Sequence, residues 1–559
     1  MTGTIFTSVA NCQDCYRCVR SCPVKAIRIR AGQARIDDAR CIQCGTCVRE
    51  CPKKAKRIRS DLEQAKALAR EGEAAVSVAP SFAAAYSGPL IKRLPSALRS
   101  LGFRYVCETA EGAEYITKKS FEAGQSGRFC TACPAVVNYV EKYKPGLLDS
   151  LIPVVSPMVA HGRLLKARYG GCPVVFIGPC AAKKSEALRP ENEDAVDAVL
   201  TFAELEQWFA DAGVSLSHCP ESGFDGPGGV GSARLFPVEG GMLVTGYMTS
   251  EPAGSEAFRV SGAEAVMSLF RNKRAVEAMT YIEPLFCFGG CVGGPAFPAD
   301  KQMFERRRDV VEYWDGMDKT DGADKPRISH TAEFSAREVD TETVTEDQIN
   351  KVLESTGKTD PEFQLNCGAC GYDTCVKCAA AIIRGMAEPE MCIPYMRRLA
   401  QQRTDKVIET DPNGVVVLDG NLNMIHMNPA FQKMFSCGNN ILGRKISYLV
   451  NAGGFELLQS GARDEYQSVQ KKFGIRYHEI LYALREDNQY VGIYADISKL
   501  QFDVGQLDAI KIQTLRHAQE FLDHQIKFSQ EMAHYLGQSA AQSEEIARRL
   551  IGLYERDNI

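Results

Sequence analysis

The chain has 559 residues, 45% of them hydrophobic and 24% charged, with a net charge of -4 at pH 7. That length exceeds one ordinary core and predicts three to five modules, while the near-neutral balance gives no reason to expect a nucleic-acid partner. No run approaches the ~20 apolar residues that span a bilayer, and the amino terminus reaches Cys12 without a signal-peptide core, so a cytoplasmic protein with no membrane partner is expected.

The 22 cysteines say more. In a reducing compartment disulfides are a poor use for so many thiols, and most fall into short, regular runs, which points to metal. Within residues 1–60, Cys12, Cys15, Cys18 and Cys22 precede Pro23, and Cys41, Cys44, Cys47 and Cys51 precede Pro52. This is C-x2-C-x2-C-x3-C-P written twice, the bacterial-ferredoxin pattern, in which the fourth cysteine of each run ligates the other cluster. The spacing predicts one [4Fe-4S] cluster on Cys12, Cys15, Cys18 and Cys51 and another on Cys41, Cys44, Cys47 and Cys22. Paired zinc knuckles would not need eight ligands in two Pro-terminated runs.

A stretch rich in Ala, Leu and Lys from Ser60 to Glu73 reads as a connecting helix. From 74 to 313, apolar runs such as Pro173–Ile177 alternate with helical stretches such as Ala203–Ala212, predicting an α/β body, and the charged segment Asp315–Lys325 reads as a surface loop. Three segments of the body stand out: Thr131-Ala132-Cys133-Pro134, Gly178-Pro179-Cys180-Ala181-Ala182-Lys183-Lys184-Ser185-Glu186, and Glu283-Pro284-Leu285-Phe286-Cys287-Phe288-Gly289-Gly290-Cys291-Val292-Gly293-Gly294-Pro295. They resemble, in order and spacing, the three signature segments of the [FeFe]-hydrogenase large subunit. That resemblance implies an H-cluster: a [4Fe-4S] cube on Cys133, Cys180, Cys287 and Cys291, with Cys291 bridging to a diiron centre that carries CO, cyanide and a dithiolate. Lys183 would face a cyanide ligand, since a buried ammonium needs fixed negative charge beside it. Gly290, Gly293 and Gly294 would let the backbone pass close to the cofactor. Glu186 and Glu283 complete the candidate catalytic set.

Three departures from the family pattern bear on activity. Ala132 stands where turnover enzymes carry the proton-relay cysteine, and a methyl group cannot carry a proton at any pH. Cys130, two residues earlier, would substitute only through a different geometry. Gly178 and Leu285 replace two methionines near the cofactor, removing soft packing around the metal. Glu108 and Glu111 are candidate outer members of a proton path, with solvated helix charges as the plainer reading. The Gly-rich stretch Gly223–Gly231 lacks the ending of a phosphate loop and reads as a lid over the cofactor.

Residues 350–400 carry Cys367, Cys370, Cys375 and Cys392, which resemble a small helical four-cysteine iron-sulfur domain; this implies a further [4Fe-4S] cluster, with Cys378 a bystander. Residues 404–500, from Ile408–Asp419 through Met427-Asn428-Pro429-Ala430-Phe431 to Tyr490–Ile497, resemble a PAS domain, with no extra cofactor expected on His426 or Cys437. Residues 505–556 read as long amphipathic helices, possible as a coiled coil, and their His517, His524 and His534 as surface residues rather than phosphoacceptors.

The expected architecture is therefore multidomain, α/β and α+β. The expected function is a sensory [FeFe]-hydrogenase of low turnover that reacts with H2 and protons and relays its redox state to the PAS and helical module. A ferredoxin-like redox partner, a downstream kinase or phosphatase, and a homodimer through the PAS domain and terminal helices complete the expectation. A catalytic ferredoxin-linked hydrogenase is the first alternative, and an electron-transfer or assembly protein without the diiron centre is the second.

Overall fold

The computed structural model describes residues 3–498 apart from 124–127, 227–229, 248–256, 278, 298–300, 318–324, 340–342 and 486. The helices expected over 505–556, with their three histidines, lie outside the described residues. The chain forms two compact units, Met1–Arg397 and Arg398–Ile559.

In the first unit, strands Ile5–Thr7 and Lys56–Ile58 pair antiparallel and tie the ends of the ferredoxin module together, and Ile27–Arg30 pairs with Gln33–Ile36 as a hairpin. Its two short helices, Arg17–Ser21 and Thr46–Arg49, are each entered through a left-handed residue, Tyr16 at φ 52° and Gly45 at φ 74°. These two positions are equivalent in the repeat, yet only one is glycine. A Cβ on Gly45 would come within 2.4 Å of Pro295 Cγ, so the glycine lets the second half of the module press against the central body.

The central body holds two parallel sheets. One has the order Tyr105–Glu108, Ala75–Val78, Val174–Gly178, Ala198–Thr201; the other has Ala257–Ser261, Tyr281–Leu285, Arg128–Phe129. Ala75–Val78, Val174–Gly178 and Ala198–Thr201 are buried along their whole length, as parallel strands covered on both faces must be. Helix Phe202–Ala212 starts in a capping box between Thr201 and Glu204 and stops at Gly213, left-handed at φ 66°. Glu204 has a second role. Its carboxylate accepts the Asp61 backbone N–H at 3.0 Å and pairs at 3.1 Å with Lys184, a lysine wholly shut off from solvent whose ammonium also lies 3.5 Å from Asp61 and donates to the Val199 carbonyl. This buried charge group fixes the start of the connecting helix, Leu62–Arg70. After the body, helices Glu346–Ser355 and Cys375–Ile383 build the third cysteine region, and helix Ile393–Thr410 follows.

The second unit is built on a single sheet. Its five-stranded antiparallel sheet has the order Met424–Met427, Gly414–Leu418, Gln489–Asp496, Ile475–Leu484, Glu465–Lys472. Phe431, Phe435, Phe455, Tyr477 and Tyr494 fill the core on one face. Asn428 caps helix Pro429–Met434: its side-chain oxygen accepts from Phe431 and Val415 N–H, while its amide donates to the carbonyls of Ile408 and Asn413.

Candidate functional site

Four thiols of the central body converge where the strands of its two sheets end. Cys133 follows strand Arg128–Phe129 and caps helix Pro134–Tyr143; Cys180 follows Val174–Gly178 and caps helix Ala181–Ala187; Cys287 and Cys291 follow Tyr281–Leu285. Ligand positions at the carboxyl ends of parallel strands are the usual consequence of this architecture. Burial pushes the Cys180 thiol up to about 11, and raises Cys287 and Cys291 further, each in the field of Cys133 and Cys180 or of Cys133 alone. Lys183 opposes this at Cys180 and Cys291. Loading metal here must release those protons, and the helix N-termini and the ammonium favour the thiolates that result.

Lys183 itself is buried, donating to Glu186 Oε2 at 2.8 Å and to the Ala132 carbonyl at 3.3 Å. Glu186 also lines a cavity of about 310 Å³ together with Thr131 and Pro134. The Ala132 N–H points at Cys130 Sγ, 3.4 Å away, but the Cys130 thiol turns to Met242 Sδ at 2.8 Å, and burial, followed by Glu283, pushes it up to about 12. Cys130 is thus a buried, protonated thiol. Glu283 is 2% exposed and accepts the N–H groups of Met242 and Leu243 at 3.3 and 3.4 Å; burial outweighs both and raises its carboxyl to about 7. It is the group in this set poised to exchange a proton near neutral pH.

Two expectations about individual residues need correction. Glu108 and Glu111 are not solvated helix charges. Glu108 ends a strand and is buried against Arg234, 2.6 Å away, and Tyr313. Glu111 is 3% exposed and forked by the Arg168 guanidinium, 2.9 Å on one arm, with His161 at 3.6 Å. Burial works against its charge, but His161 and Arg168 prevail and hold its carboxyl down at about 2. The glycines also face a constraint from the protein itself. A Cβ on Gly290, at φ +96°, would meet the Pro237 carbonyl at 2.5 Å; on Gly293, the Phe288 carbonyl at 2.2 Å; on Gly294, the Pro179 carbonyl at 2.7 Å. Neighbouring backbone by itself already leaves no room for side chains there. At Gly178 the space of the absent methionine is taken by the Phe176 ring, 2.7 Å from where a Cβ would sit. Gly223 and Gly226 line a cavity of about 870 Å³ with Glu108, Arg234 and Tyr313, and none of the candidate cysteines borders it.

In the ferredoxin module the thiols group across the repeat. Burial pushes Cys18 up to about 11 in the field of Cys15, Cys12 and Cys51, while Cys41, Cys44 and Cys47 are all raised in the field of Cys22. In the third region, Lys358 donates to Cys392 Sγ at 2.9 Å and lies near Cys375 and Cys378. Cys378 is buried and hydrogen-bonded to Cys370, whose thiol it pulls down to about 6, whereas Cys367 is exposed. Sequence reasoning missed Lys358, which no spacing rule connects to a cysteine 34 positions later. Among the described residues no three His, Cys, Asp or Glu side chains close on a point that would hold a single metal ion. Four-cysteine sets with this spacing along the chain fit a polynuclear iron-sulfur cluster. In the second unit, His426 lies on an edge strand and Cys437 rests 3.9 Å from Met427 Sδ.

These sites define an iron-sulfur protein. Residues 73–295 match the family model of the iron only hydrogenase large subunit, C-terminal domain, residues 4–62 that of the 4Fe-4S dicluster domain, and residues 364–394 that of an Fe-S cluster family. The central segment is therefore similar to the iron-only hydrogenase large subunit. It is similar to the NADP-reducing hydrogenase subunit HndD of Solidesulfovibrio fructosivorans, 28% identical over 39% of this chain and 48% of that protein. It is also similar to the periplasmic [Fe] hydrogenase large subunit of Nitratidesulfovibrio vulgaris, 26% identical over 38% and 65%. The chain thus spans about half to two-thirds of the length of these relatives. A shorter stretch, 19% of this chain, is 41% identical to 20% of the cytosolic Fe-S cluster assembly factor NAR1 of Vanderwaltozyma polyspora. Among solved structures, a variant of [FeFe]-hydrogenase HydA1 from Chlamydomonas reinhardtii aligns over 50% of this chain and all of its own, at 21% identity and a TM-score of 0.39. No helix among the described residues is long and apolar enough to cross a membrane.

Proposed function

We propose that this protein is a hydrogen-responsive member of the [FeFe]-hydrogenase family with slow turnover, whose redox state is read by the PAS-like unit. Cys133, Cys180, Cys287 and Cys291 would hold the cube and Cys291 the diiron centre, which supplies the dihydrogen chemistry when bound. Lys183, paired with Glu186 at 2.8 Å, would balance the negative charge that this group brings. The observation that carries the reading is the protonic isolation of the site. Ala132 offers no titratable group, Cys130 is turned toward Met242 and held protonated, and Glu111 is locked as an anion under Arg168. Glu283 remains as the buried carboxyl that can hold or release a proton near neutrality. General acid-base assistance contributes about 10²–10⁴ in rate, so its loss lowers turnover without abolishing reaction with H2.

Infrared spectra of matured protein under H2, together with turnover of Ala132→Cys, test this. Metal-bound CO and cyanide bands that respond to H2, and turnover raised at least tenfold by the restored thiol, support the reading; no diatomic bands, or fast turnover with Ala132 in place, sink it. A cytoplasmic location, a kinase or phosphatase as receiver and a homodimer belong to the same proposal. The stretch 41% identical to an assembly factor favours a second reading, in which the central site holds cubane iron only and serves electron transfer or assembly. The same infrared bands would exclude it.

A further inference from the structure

The first unit packs its cysteine sites into one apolar cluster: Cys18, Cys22, Cys41 and Cys47 are buried in it, and Cys12, Cys44, Cys133, Cys180 and Cys370 lie against it. Two junctions inside this cluster join one site to the next. At the first, Cys287 of the central body lies in the field of Cys44 of the ferredoxin module, beside the Gly45–Pro295 approach. At the second, Tyr372 is buried in the same cluster as Cys378 of the third region and Cys22 of the ferredoxin module, with Cys370 packed against it.

Tyr372 is 7% exposed, and its hydroxyl has no hydrogen-bond partner among the described residues. Leaving a buried hydroxyl unpaired costs about 1–3 kcal/mol, so hydrogen bonding does not explain a tyrosine here. The surrounding contact is built for close approach. Gly371, at φ +92°, would put a Cβ 2.7 Å from Val19 Cγ1 and 3.1 Å from Arg20 N, so glycine is what lets the Cys370–Tyr372 turn press on helix Arg17–Ser21. Arg20 donates to the Ala369 carbonyl at 3.1 Å, Ile29 N–H to Met386 O at 3.1 Å, and the Ala31 and Gly32 N–H groups to the Glu388 carboxylate at 2.6 and 3.1 Å. Five residues of the first repeat are thereby clamped to the third cysteine region.

We propose that Tyr372 couples the third cysteine site to the Cys22, Cys41, Cys44 and Cys47 half of the ferredoxin module. That half then becomes a three-way junction between the central site, the Cys12, Cys15, Cys18 and Cys51 half, and the third site. This rests on the reading that each cysteine set holds a cubane cluster. It deepens the proposed function by giving electrons a way between the central site and the third site that bypasses the Cys12 half. The transfer moves one electron from a reduced to an oxidised cluster, makes or breaks no bond, and takes its electron from H2 or an added reductant. Arg20 also donates to the Cys15 carbonyl at 3.0 Å, but through an exposed side chain between two carbonyls, whereas Tyr372 is buried between thiols.

The test uses the full chain with its iron-sulfur clusters, without the diiron centre, reduced by dithionite. It therefore stands apart from whether the protein reacts with H2. Cys44→Ser and Cys15→Ser each mark the electron paramagnetic resonance signal of one ferredoxin cluster, and dipolar measurements then identify the nearest magnetic neighbour of the third cluster. The expected result is coupling to the Cys44-marked cluster. In Tyr372→Leu, iron content should be unchanged and reduction of the third cluster by its neighbour slower. Coupling chiefly to the Cys15-marked cluster, a third cluster magnetically isolated from both, or unchanged transfer in Tyr372→Leu each overturns the proposal.

Discussion

Replacing Glu111 by Gln separates a structural anion from a proton carrier. Glu111 is forked by Arg168, lies 3.6 Å from His161 and is 3% exposed, so its ionised form is the one the fold is built around. A carboxyl held at about 2 against an ordinary 4.5 corresponds to about 3 kcal/mol. Independently, removing one partner of a buried pair costs ~3–5 kcal/mol because the other charge is left uncompensated. Because the carboxyl is depressed, this stabilisation is fully present above its ordinary range and is lost only as pH falls toward 2. Glu111→Gln should therefore lose about 3 kcal/mol equally at pH 6, 7 and 8, and lower the melting temperature of the central body by roughly 6–12 °C at ~2–4 °C per kcal/mol. Adding Arg168→Met should restore part of the loss, since the orphaned guanidinium is then gone. Anaerobic thermal unfolding of the reconstituted protein reads the stability, and turnover of the matured protein should stay within twofold of the parent. A tenfold fall in turnover with clusters intact, or a destabilisation under 1 kcal/mol, would refute the assignment of Glu111 as a locked anion.

Glu283 has the opposite sign. Its carboxyl is raised to about 7, so the folded state binds a proton that the unfolded chain has released, and stability should fall by about 3 kcal/mol from pH 4.5 to 7 and then level off. Glu283→Gln should flatten that slope, which urea unfolding across pH 5–8 measures, and should slow H2 turnover if the carboxyl carries protons. Gly45→Ala should displace the ferredoxin module from Pro295, at a cost of about 1–3 kcal/mol for the overpacking, to which the positive φ adds. Thermal unfolding and hydrogen exchange at Pro179–Ala182 and Cys291–Ala296 read the difference.

What could be seen in the sequence was whatever a short-range rule governs. Ligand spacing is covalent arithmetic, so the two ferredoxin runs and the grouping of Cys22 with Cys41, Cys44 and Cys47 could be anticipated before any fold was known. Buried strands such as Val174–Gly178 and the capped helix Phe202–Ala212 follow from local pattern in the same way. What could not be seen depends on contacts between distant segments. Glu111 looks like any helix carboxylate until Arg168 is brought to it, and Lys358 has no sequence mark that ties it to Cys392. Gly290, Gly293 and Gly294 were legible as glycines that must be glycines, but the atoms that require it belong to Pro237, Phe288 and Pro179. Two of those three carbonyls, on Pro237 and Pro179, come from segments that no local pattern brings to these glycines. Nor could period or spacing place Tyr372 beside Cys22, 350 positions away.

The Glu204 carboxylate joins four otherwise separate features: it caps its own helix at Thr201, accepts the Asp61 N–H, pairs with Lys184, and through Lys184 reaches Val199. The passage from ferredoxin module to central body is consequently welded rather than hinged. Shuffling a foreign two-cluster module onto this body would have to preserve the register at position 61 to the residue, because a slip of one would strand a fully enclosed ammonium, and lineages that exchange such modules should do so upstream of that weld.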